Sequence, residues 1–370
     1  MKGHVLRAPS ALNDDLLKKT LQADLPFSAQ FVECHPLAGD ASNRRYYRLT
    51  LAEAPVDSLI LMQLADPEGF KASEEAVSGS TQDLTELPFL NVLTFLRSLD
   101  IVVPALYYFD ELAGLLYLED FGDLTLTEAC STADPARREQ LYGQAIDTLV
   151  QIHLRASSHE QSSCLAFGRS FDVPLLMWEF EHFLEYGVEA RQGKPLGDAA
   201  ARQIRDVFQT MAEYLVAQPR VFTHRDYHSR NLMVDGERLG VIDFQDALLG
   251  PATYDLASLL RDSYIALPEH LIDQMIDRYV QGMCAGVGRA KQGELLLTDP
   301  VAFRRLFDYT SIQRNLKAAG RFVYIDRVKQ NSKFLADIPR TLGYVQKNLT
   351  KYPELRTLLS HLSPHVPEWQ

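Results

Sequence analysis

The chain has 370 residues, of which 46% are hydrophobic and 23% are charged, so it is neither disordered nor too short for two lobes with separate cores. Its formal net charge of -12, without a long Lys/Arg block, argues against nucleic acid as a partner, because phosphate backbones require a basic face. The sequence has no apolar stretch as long as a membrane span or a secretory signal, so we expect a cytoplasmic protein with no membrane partner.

The first third of the chain shows strand and turn patterns. Asn13, before DDLLKKTLQ, predicts the start of a helix, and residues 31–62 contain the alternation RRYYRLTL and the apolar run SLILM, both typical of strands. A helix with a broad apolar stripe is predicted from about Thr85 to Leu99. Two further strands are predicted in VVPALYYFD and GLLYLED.

From Glu119 onward the pattern changes to long amphipathic segments, which are typical of helices. The predicted helices cover about 135–158, 174–188, 198–217, 252–264, 268–284, 300–319 and 334–348. The change falls at LEDFGD, where Gly122 is suited to a hinge. We therefore expect an α+β fold with a β-sheet-rich lobe over residues 1–118 and a mainly helical lobe over residues 119–370.

The segment FTHRDYHSRNLMVDGERLGVIDFQD, residues 222–246, carries two acids and an amide around a hairpin. LMV and LGVI are predicted as short strands on either side of the turn at Asp235. Pairing about a centre near Glu237 places Asn231 opposite Asp243. Oxygen ligands of this kind suit Mg²⁺, which binds few protein groups and completes its shell with water and nucleotide phosphates, so both residues are predicted metal ligands.

Asp226 lies on the same loop and is left to face the acceptor. Phosphoryl transfer needs positioning and charge neutralisation more than covalent help from the protein. A carboxylate that orients the acceptor hydroxyl and takes its proton is sufficient. Asp226 is therefore the predicted catalytic base.

His224, Asp226 and Asn231 fall on the pattern H-x-D-x-x-x-x-N, and Asp243 is followed by Phe and Gln. The segment resembles the catalytic loop and metal-binding Asp of protein kinases, and more closely those of aminoglycoside phosphotransferases and choline kinases. The resemblance implies a bilobal, protein-kinase-like fold, ATP and Mg²⁺ as cofactors, and a small-molecule substrate. It also implies a supporting role for His224, under the metal-binding segment, and for Asp255, in GPATYDLASLLRDSY, beside the catalytic loop.

In the first lobe, LAGDASNRRYYRL, residues 37–49, is predicted as a nucleotide-binding loop between strands. Its small, hydrogen-bonding or charged positions are Gly39, Asp40, Ser42, Asn43 and Arg44. The backbone of Glu119, Asp120 and Phe121 is the predicted contact for adenine, as in the hinge strand of kinases.

One departure from the kinase pattern concerns the third strand, where a Lys is usual. SLILMQLAD has Met62 or Gln63 at that place. The residues that are candidates to supply the missing positive charge are Arg44, Arg45, Arg48 and Lys71. A nucleotide-binding pseudokinase without catalytic activity is therefore an alternative.

A narrower resemblance covers roughly residues 30–345. AGDASNRRYYR, LMQLADPE, LLYLEDFGD, THRDYHSRNLM and IQRNLKAAGRFVYID occur in this order and look like segments of the bacterial N-acetylmuramate/N-acetylglucosamine anomeric kinases of cell-wall sugar recycling. The resemblance implies an anomeric hydroxyl as acceptor; an aminoglycoside or another hydroxyl is the alternative. It puts the substrate pocket in the helical lobe, where His228, Arg314 and Asn315 are candidate contacts. The alternatives are a solvent-facing loop position for His228 and a solvated face for the helix that carries QRN.

Overall fold

The structure of the chain is a computed structural model that describes residues 12, 14–37, 44–64, 87–158 and 163–370. These residues form two compact units. The first contains the described residues up to 64 together with 103–123, and the second contains 87–102 and 124–370. This grouping differs from the predicted division after residue 118, because one helix of the predicted first lobe groups with the second unit.

The first unit is built on a five-stranded antiparallel sheet with the strand order β1-β2-β3-β5-β4. The strands are β1 (Gln30–Pro36), β2 (Arg45–Ala52), β3 (Ser58–Gln63), β4 (Leu106–Asp110) and β5 (Leu115–Glu119). Because side chains alternate along a strand, one face of the sheet is apolar and packs on helix α1 (Asp14–Ala23). The buried side chains of this core include Leu17, Leu21, Leu49, Leu59, Leu61 and Tyr117.

Helix α2 (Pro88–Ser98) groups with the second unit because its aromatic side chains pack there. The ring of Phe89 stacks on that of Phe244 with centroids 5.1 Å apart, and Phe95 meets Phe167 edge to face at 5.4 Å. The Asn91 side chain donates to the carbonyl of Ser163 at 2.7 Å. Buried aromatic pairs of this kind add stabilisation beyond their apolar area.

The second unit is mainly helical and also contains two small antiparallel sheets. Its other helices are α3 (Leu126–Thr132), α4 (Pro135–Ser158), α5 (Val173–His182), α6 (Asp198–Val216), α7 (Thr253–Leu260), α8 (Glu269–Gly286), α9 (Arg289–Glu294), α10 (Pro300–Lys329), α11 (Ile338–Lys351) and α12 (Arg356–Leu362). Strand β6 (Arg220–Thr223) pairs with β9 (Leu248–Pro251), and β7 (Leu232–Asp235) pairs with β8 (Arg238–Val241). None of the helices in the described ranges is long and apolar enough to cross a membrane.

Two long helices of the second unit cross at a glycine. Helix α10 runs to Lys329, well past the predicted end at 319. Helix α5 continues into a π-helical segment, Phe183–Ala190, and Gly320 lies where α10 crosses it. A Cβ atom at Gly320 would approach the Cα atom of Phe183 to 2.8 Å. This glycine therefore serves close packing in the interior of a helix and does not end it.

Candidate active site

The hairpin of β7 and β8 carries the predicted metal ligands. Leu232 pairs with Val241, and Asp235 pairs with Arg238 across a two-residue turn in which Gly236 has a φ of +61°. The centre of the turn therefore lies between residues 236 and 237. This register places Ile242 opposite Asn231, and its N–H donates to the Asn231 carbonyl at 3.0 Å. The predicted pairing of Asn231 with Asp243 is wrong by one residue.

Asp243 nevertheless reaches Asn231, because its backbone turns back with a φ of +64°. The Asn231 amide Nδ2 lies 3.4 Å from Asp243 Oδ2 and 2.9 Å from the backbone oxygen of Asp226. Both contacts use Nδ2, so Oδ1 of Asn231 is left for another ligand. A non-glycine residue at positive φ costs about 1–3 kcal/mol and persists where its surroundings enforce it, often at functional sites.

Asp226 is half-buried, and the charges around it control its protonation. Burial acts to raise the pKa of its carboxyl group, but nearby positive side chains, Lys317 foremost, outweigh burial and lower the pKa to about 2. Asp226 is therefore a carboxylate at neutral pH. It is a weak base, suited to orienting a hydroxyl group and accepting its proton late in the transfer.

His224 connects the loop that carries Asp226 to the end of the β7–β8 hairpin. Its Nδ1 accepts the N–H of Asp226 at 3.3 Å, and its Nε2 lies 3.0 Å from the carbonyl oxygen of Ile242. Because Nδ1 accepts and the partner of Nε2 is a carbonyl, Nε2 is the nitrogen that donates in this arrangement. The ring thus spans from the loop that carries Asp226 to the residue that precedes Asp243.

Asp255 in α7 clamps the loop from the other side. Its Oδ2 accepts the N–H of His224 at 2.6 Å, and its Oδ1 accepts the N–H of Arg225 at 2.9 Å. Arg225 has a φ of +80°, so the clamp holds a second strained residue immediately before Asp226. The carboxylate is fully buried, and charge-assisted bonds of this kind are stronger than neutral ones.

A buried ionic cluster next to Asp226 was not predicted from the sequence. Glu179, in α5, is 1% exposed and accepts from Arg225 at 2.9 Å and from Gln313 at 2.5 Å. Lys317 Nζ lies 3.2 Å from the same carboxylate. Burial raises the pKa of Glu179, and Lys317 acts against it. The one signal in the sequence was an acid within the otherwise apolar stretch VPLLMWEF.

The far end of the loop is fixed by Asp262, another buried carboxylate. It accepts both the N–H and the hydroxyl of Ser229, at 2.8 Å for the N–H, and it also accepts the N–H of Tyr264. The His228 ring meets the ring of Tyr264 edge to face at 5.2 Å. Burial lowers the pKa of His228, so this side chain is neutral at pH 7.

The QRN segment of α10 is buried, so the alternative of a solvated face is wrong. Gln313 and Asn315 are 0% exposed and Arg314 is 6% exposed. Gln313 bonds to Glu179, whereas Asn315 accepts from Arg314 at 3.2 Å and donates to Ser311 at 3.2 Å. The amphipathic pattern predicted a solvent-facing side, but the whole middle stretch of this helix is buried.

In the first unit, the acidic side chains of the predicted adenine-contacting residues form hydrogen bonds with other residues of the same unit. The Asp120 carboxylate accepts from Arg48 at 2.6 Å, Ser58 at 2.7 Å and the N–H of Gly122 at 2.8 Å. Burial acts to raise the pKa of Asp120, but these bonds, that of Arg48 first, lower it. The Glu119 side chain accepts the N–H of Ala105 at 3.0 Å, and Phe121 is 7% exposed. Their backbone role stays a prediction.

Arg48, one of four candidates for the missing third-strand charge, is already paired with Asp120 and Asp123. Arg44 has a partner of its own, and Arg45 is an exposed residue at the start of β2. The other candidate, Lys71, lies outside the described residues, as do the predicted phosphate-contacting positions Gly39, Asp40, Ser42 and Asn43.

The loop, the hairpin and the carboxylate of Asp255 bring the predicted catalytic and metal-binding residues together. The sequence profile of the phosphotransferase enzyme family matches residues 33–291. The chain is 31% identical over 322 residues to the N-acetylmuramate/N-acetylglucosamine kinase of Pseudomonas putida, and the match covers 87% of this chain and 85% of the relative. It is 30% identical to the protein of the same name from Neisseria meningitidis serogroup B, over 88% of each chain.

The fold is shared with small-molecule kinases. The choline kinase LicA of Streptococcus pneumoniae superimposes with a TM-score of 0.57 at 16% identity, over 92% of this chain and 99% of that one. The predicted α+β, protein-kinase-like fold is thereby confirmed. The chain belongs to the phosphotransferase enzyme family. Within that family it is a small-molecule kinase, a phosphotransferase with a hydroxyl group as acceptor.

Proposed function

We propose that the chain is a cytoplasmic, ATP- and Mg²⁺-dependent kinase that phosphorylates the anomeric hydroxyl of N-acetylmuramate or N-acetylglucosamine during the recycling of cell-wall sugars. Two relatives with this name match over more than four fifths of both chains. The observation that supports the proposed catalytic roles is the Asn231 amide, which donates hydrogen bonds to the backbone oxygen of Asp226 and to the carboxylate of Asp243.

The donor set fits magnesium. Asn231 Oδ1 and the Asp243 carboxylate are hard oxygen ligands on adjoining positions of one hairpin. Asn231 and Asp243 would hold the ion here, because Mg²⁺ binds few protein groups and takes its other ligands from water and nucleotide phosphates. When bound, the ion neutralises charge on the nucleotide phosphates.

Asp226 has the role of orienting the acceptor. Its ionised state at neutral pH follows from its pKa of about 2, and its backbone is held by His224 and Asn231. An anomeric hydroxyl is more acidic than an ordinary alcohol, so a weak base is enough to receive its proton. The oxygen then attacks the terminal phosphorus of ATP, the bond to the leaving ADP breaks, and a sugar 1-phosphate forms.

The first experiment is an acceptor screen. Purified protein is incubated with ATP, MgCl₂ and a panel of N-acetyl amino sugars, other hexoses and aminoglycosides, and products are identified by mass and by ³¹P NMR. We expect 1-phosphates of the two N-acetyl sugars. If only aminoglycosides are phosphorylated, the alternative acceptor, an aminoglycoside or another hydroxyl, is the correct one. The absence of product with every acceptor would favour the pseudokinase.

Asp226→Asn and Asp243→Asn separate the two roles. Loss of the base is expected to lower kcat about 10²–10⁴-fold while nucleotide still binds, whereas Asp243→Asn should also lose Mg²⁺-dependent nucleotide binding, measured by calorimetry. Asp235→Asn, in the exposed turn of the same hairpin, is the matched control and should keep wild-type turnover. Near-normal kcat in Asp226→Asn would refute its assignment.

A further inference from the structure

Arg314 is buried without a counter-charge among the described residues. Three arginines in these ranges have little exposed surface: Arg225 at 9%, Arg261 at 1% and Arg314 at 6%. Arg225 faces the carboxylate of Glu179, and Arg261 binds both oxygens of Glu269. The guanidinium of Arg314 has one hydrogen bond, to the neutral amide oxygen of Asn315. Burial of an unpaired charge is costly, which indicates a site for an anion that arrives from solution.

The position of Arg314 puts this anion site beside the catalytic loop. Arg314 and Lys317 are three residues apart in α10 and therefore lie on one face of the helix. Lys317 is 3.2 Å from Glu179, which is 2.9 Å from the guanidinium of Arg225, the residue before Asp226.

The surroundings of Arg314 hold it in place. Asn315 accepts one of its N–H groups, and the Asn315 amide donates in turn to the hydroxyl of Ser311. Asn315 is fully buried, and its hydrogen bond positions the guanidinium. A planar guanidinium fixed in this way is suited to a carboxylate, which it can bind with two parallel hydrogen bonds.

We infer that Arg314 binds the carboxylate of acidic amino-sugar acceptors and so distinguishes N-acetylmuramate from N-acetylglucosamine. The inference rests on the proposed function. N-acetylmuramate carries a lactyl group with a carboxylate on the oxygen of C3, and C2 separates this carbon from the anomeric C1. N-acetylglucosamine has a free hydroxyl group on C3. With the anomeric oxygen at Asp226, an acidic group on the same ring lies within reach of a side chain beside the catalytic loop.

The test compares three acceptors that differ only at this substituent: N-acetylmuramate, its methyl ester and N-acetylglucosamine. For Arg314→Met we expect KM for N-acetylmuramate to rise about 10- to 100-fold, as for loss of a hydrogen bond between charged groups. KM for the ester and for N-acetylglucosamine should stay within about twofold. Arg314→Lys should recover part of the preference for the acid, because it keeps the charge but loses the planar fork.

The control is Arg327→Met. Arg327 lies in the same helix and its side chain is 60% exposed, so this substitution should leave all three KM values unchanged. Turnover of N-acetylglucosamine by Arg314→Met shows that this variant is folded. An equal fall in kcat with all three acceptors would overturn the inference and assign Arg314 to the transferred phosphoryl group. An unchanged KM for N-acetylmuramate would also overturn it.

Failure of the proposed function gives a different result, since wild-type protein would then form no sugar 1-phosphate. Binding of N-acetylmuramate and of its methyl ester, measured by calorimetry with Asp226→Asn, tests the carboxylate contact without turnover. Tighter binding of the acid than of the ester, abolished by adding Arg314→Met, supports the inference. Equal binding of acid and ester before that change contradicts it.

Discussion

Asp255 determines the conformation of two successive peptide groups with one side chain. Its two oxygens accept from His224 and Arg225, and the second of these residues has a positive φ. In Asp255→Asn, an NH₂ group replaces one acceptor oxygen and faces a backbone N–H that loses its partner. We expect kcat to fall about 10–100-fold, as for other groups that orient catalytic residues, with a smaller change in KM for ATP.

Asp198→Asn is the matched control for this prediction, because Asp198 also lies in the first turn of a helix but is exposed. Its steady-state kinetics and thermal unfolding should match those of the wild type. Wild-type kcat in Asp255→Asn would show that the loop keeps its shape without the clamp.

At the residue scale, the sequence predicted the residues that belong to one contiguous motif. Asp226, Asn231 and Asp243 are brought together as a group. The predicted hairpin register differs from the observed one by one residue. Glu179 and Lys317 were missed because their helices are far apart along the chain and meet only in the fold. The positive φ of Asp243 was also beyond prediction, because it depends on contacts around the hairpin.

At the element scale, the crossing of α10 and the π-helical segment depends on the absence of one side chain. Gly320→Ala would place a methyl group 2.8 Å from the Cα atom of Phe183, and backbone cannot move aside as a flexible side chain can. Overpacking of this kind costs about 1–3 kcal/mol. We expect a lower free energy of unfolding, measured by urea denaturation of the whole chain.

Gly343→Ala supplies the matched comparison. Gly343 lies inside α11, and nothing among the described residues is within 4 Å of the position that its Cβ atom would occupy. Here alanine should raise the free energy of unfolding by about 0.5–1 kcal/mol, because it restricts the unfolded chain and favours the helix. Opposite signs for the two substitutions are the expected outcome; stabilisation by Gly320→Ala would disprove the packing argument.

The helices show what periodicity can and cannot locate. The long segments were placed to within a few residues at most ends, because an apolar stripe is a property of local sequence. The end of α10 was placed too early, before Gly320, because the use of a glycine for close packing is visible only when the crossing partner is known. The π-helical segment has the same apolar pattern as an α-helix, so the sequence pattern does not distinguish the two.

At the scale of the whole molecule, several carboxylates have lower pKa values in the folded state than the roughly 4 of unfolded chains. Asp226 and Glu269 are both lowered to about 2, and Asp120 is also lowered. For Glu269 the first cause is its hydrogen bond with Arg261. A lowered folded-state pKa contributes stability that is fully present above the unfolded value and is lost as pH falls towards the folded value.

We therefore expect the melting temperature to fall between about pH 4.5 and pH 2, which circular dichroism at a series of pH values would measure. In Glu269→Gln the fall should be shallower, because one of the responsible groups is gone, while the melting temperature at pH 7 is lower because buried Arg261 loses its partner. An unchanged acid slope in this variant would contradict the assignment of Glu269.

Sequence patterns carry only part of the information that divides a chain into lobes. The change from strand to helix patterns is a local signal, and it lies close to the point after residue 123 where the second unit resumes. The grouping of α2 depends on where Phe89 and Phe95 pack, and an apolar stripe does not specify its partner.

All eight residues of α7 are buried, and this helix carries the Asp255 clamp. An ordinary amphipathic helix has a solvent-facing side on which most replacements are tolerated, but α7 has none. A slightly larger or smaller side chain anywhere along it would tilt the helix and so displace the carboxylate from the loop. We conclude that α7 should be among the least mutable stretches of the chain, because substitutions there would affect both the packing of the core and the position of the Asp255 carboxylate.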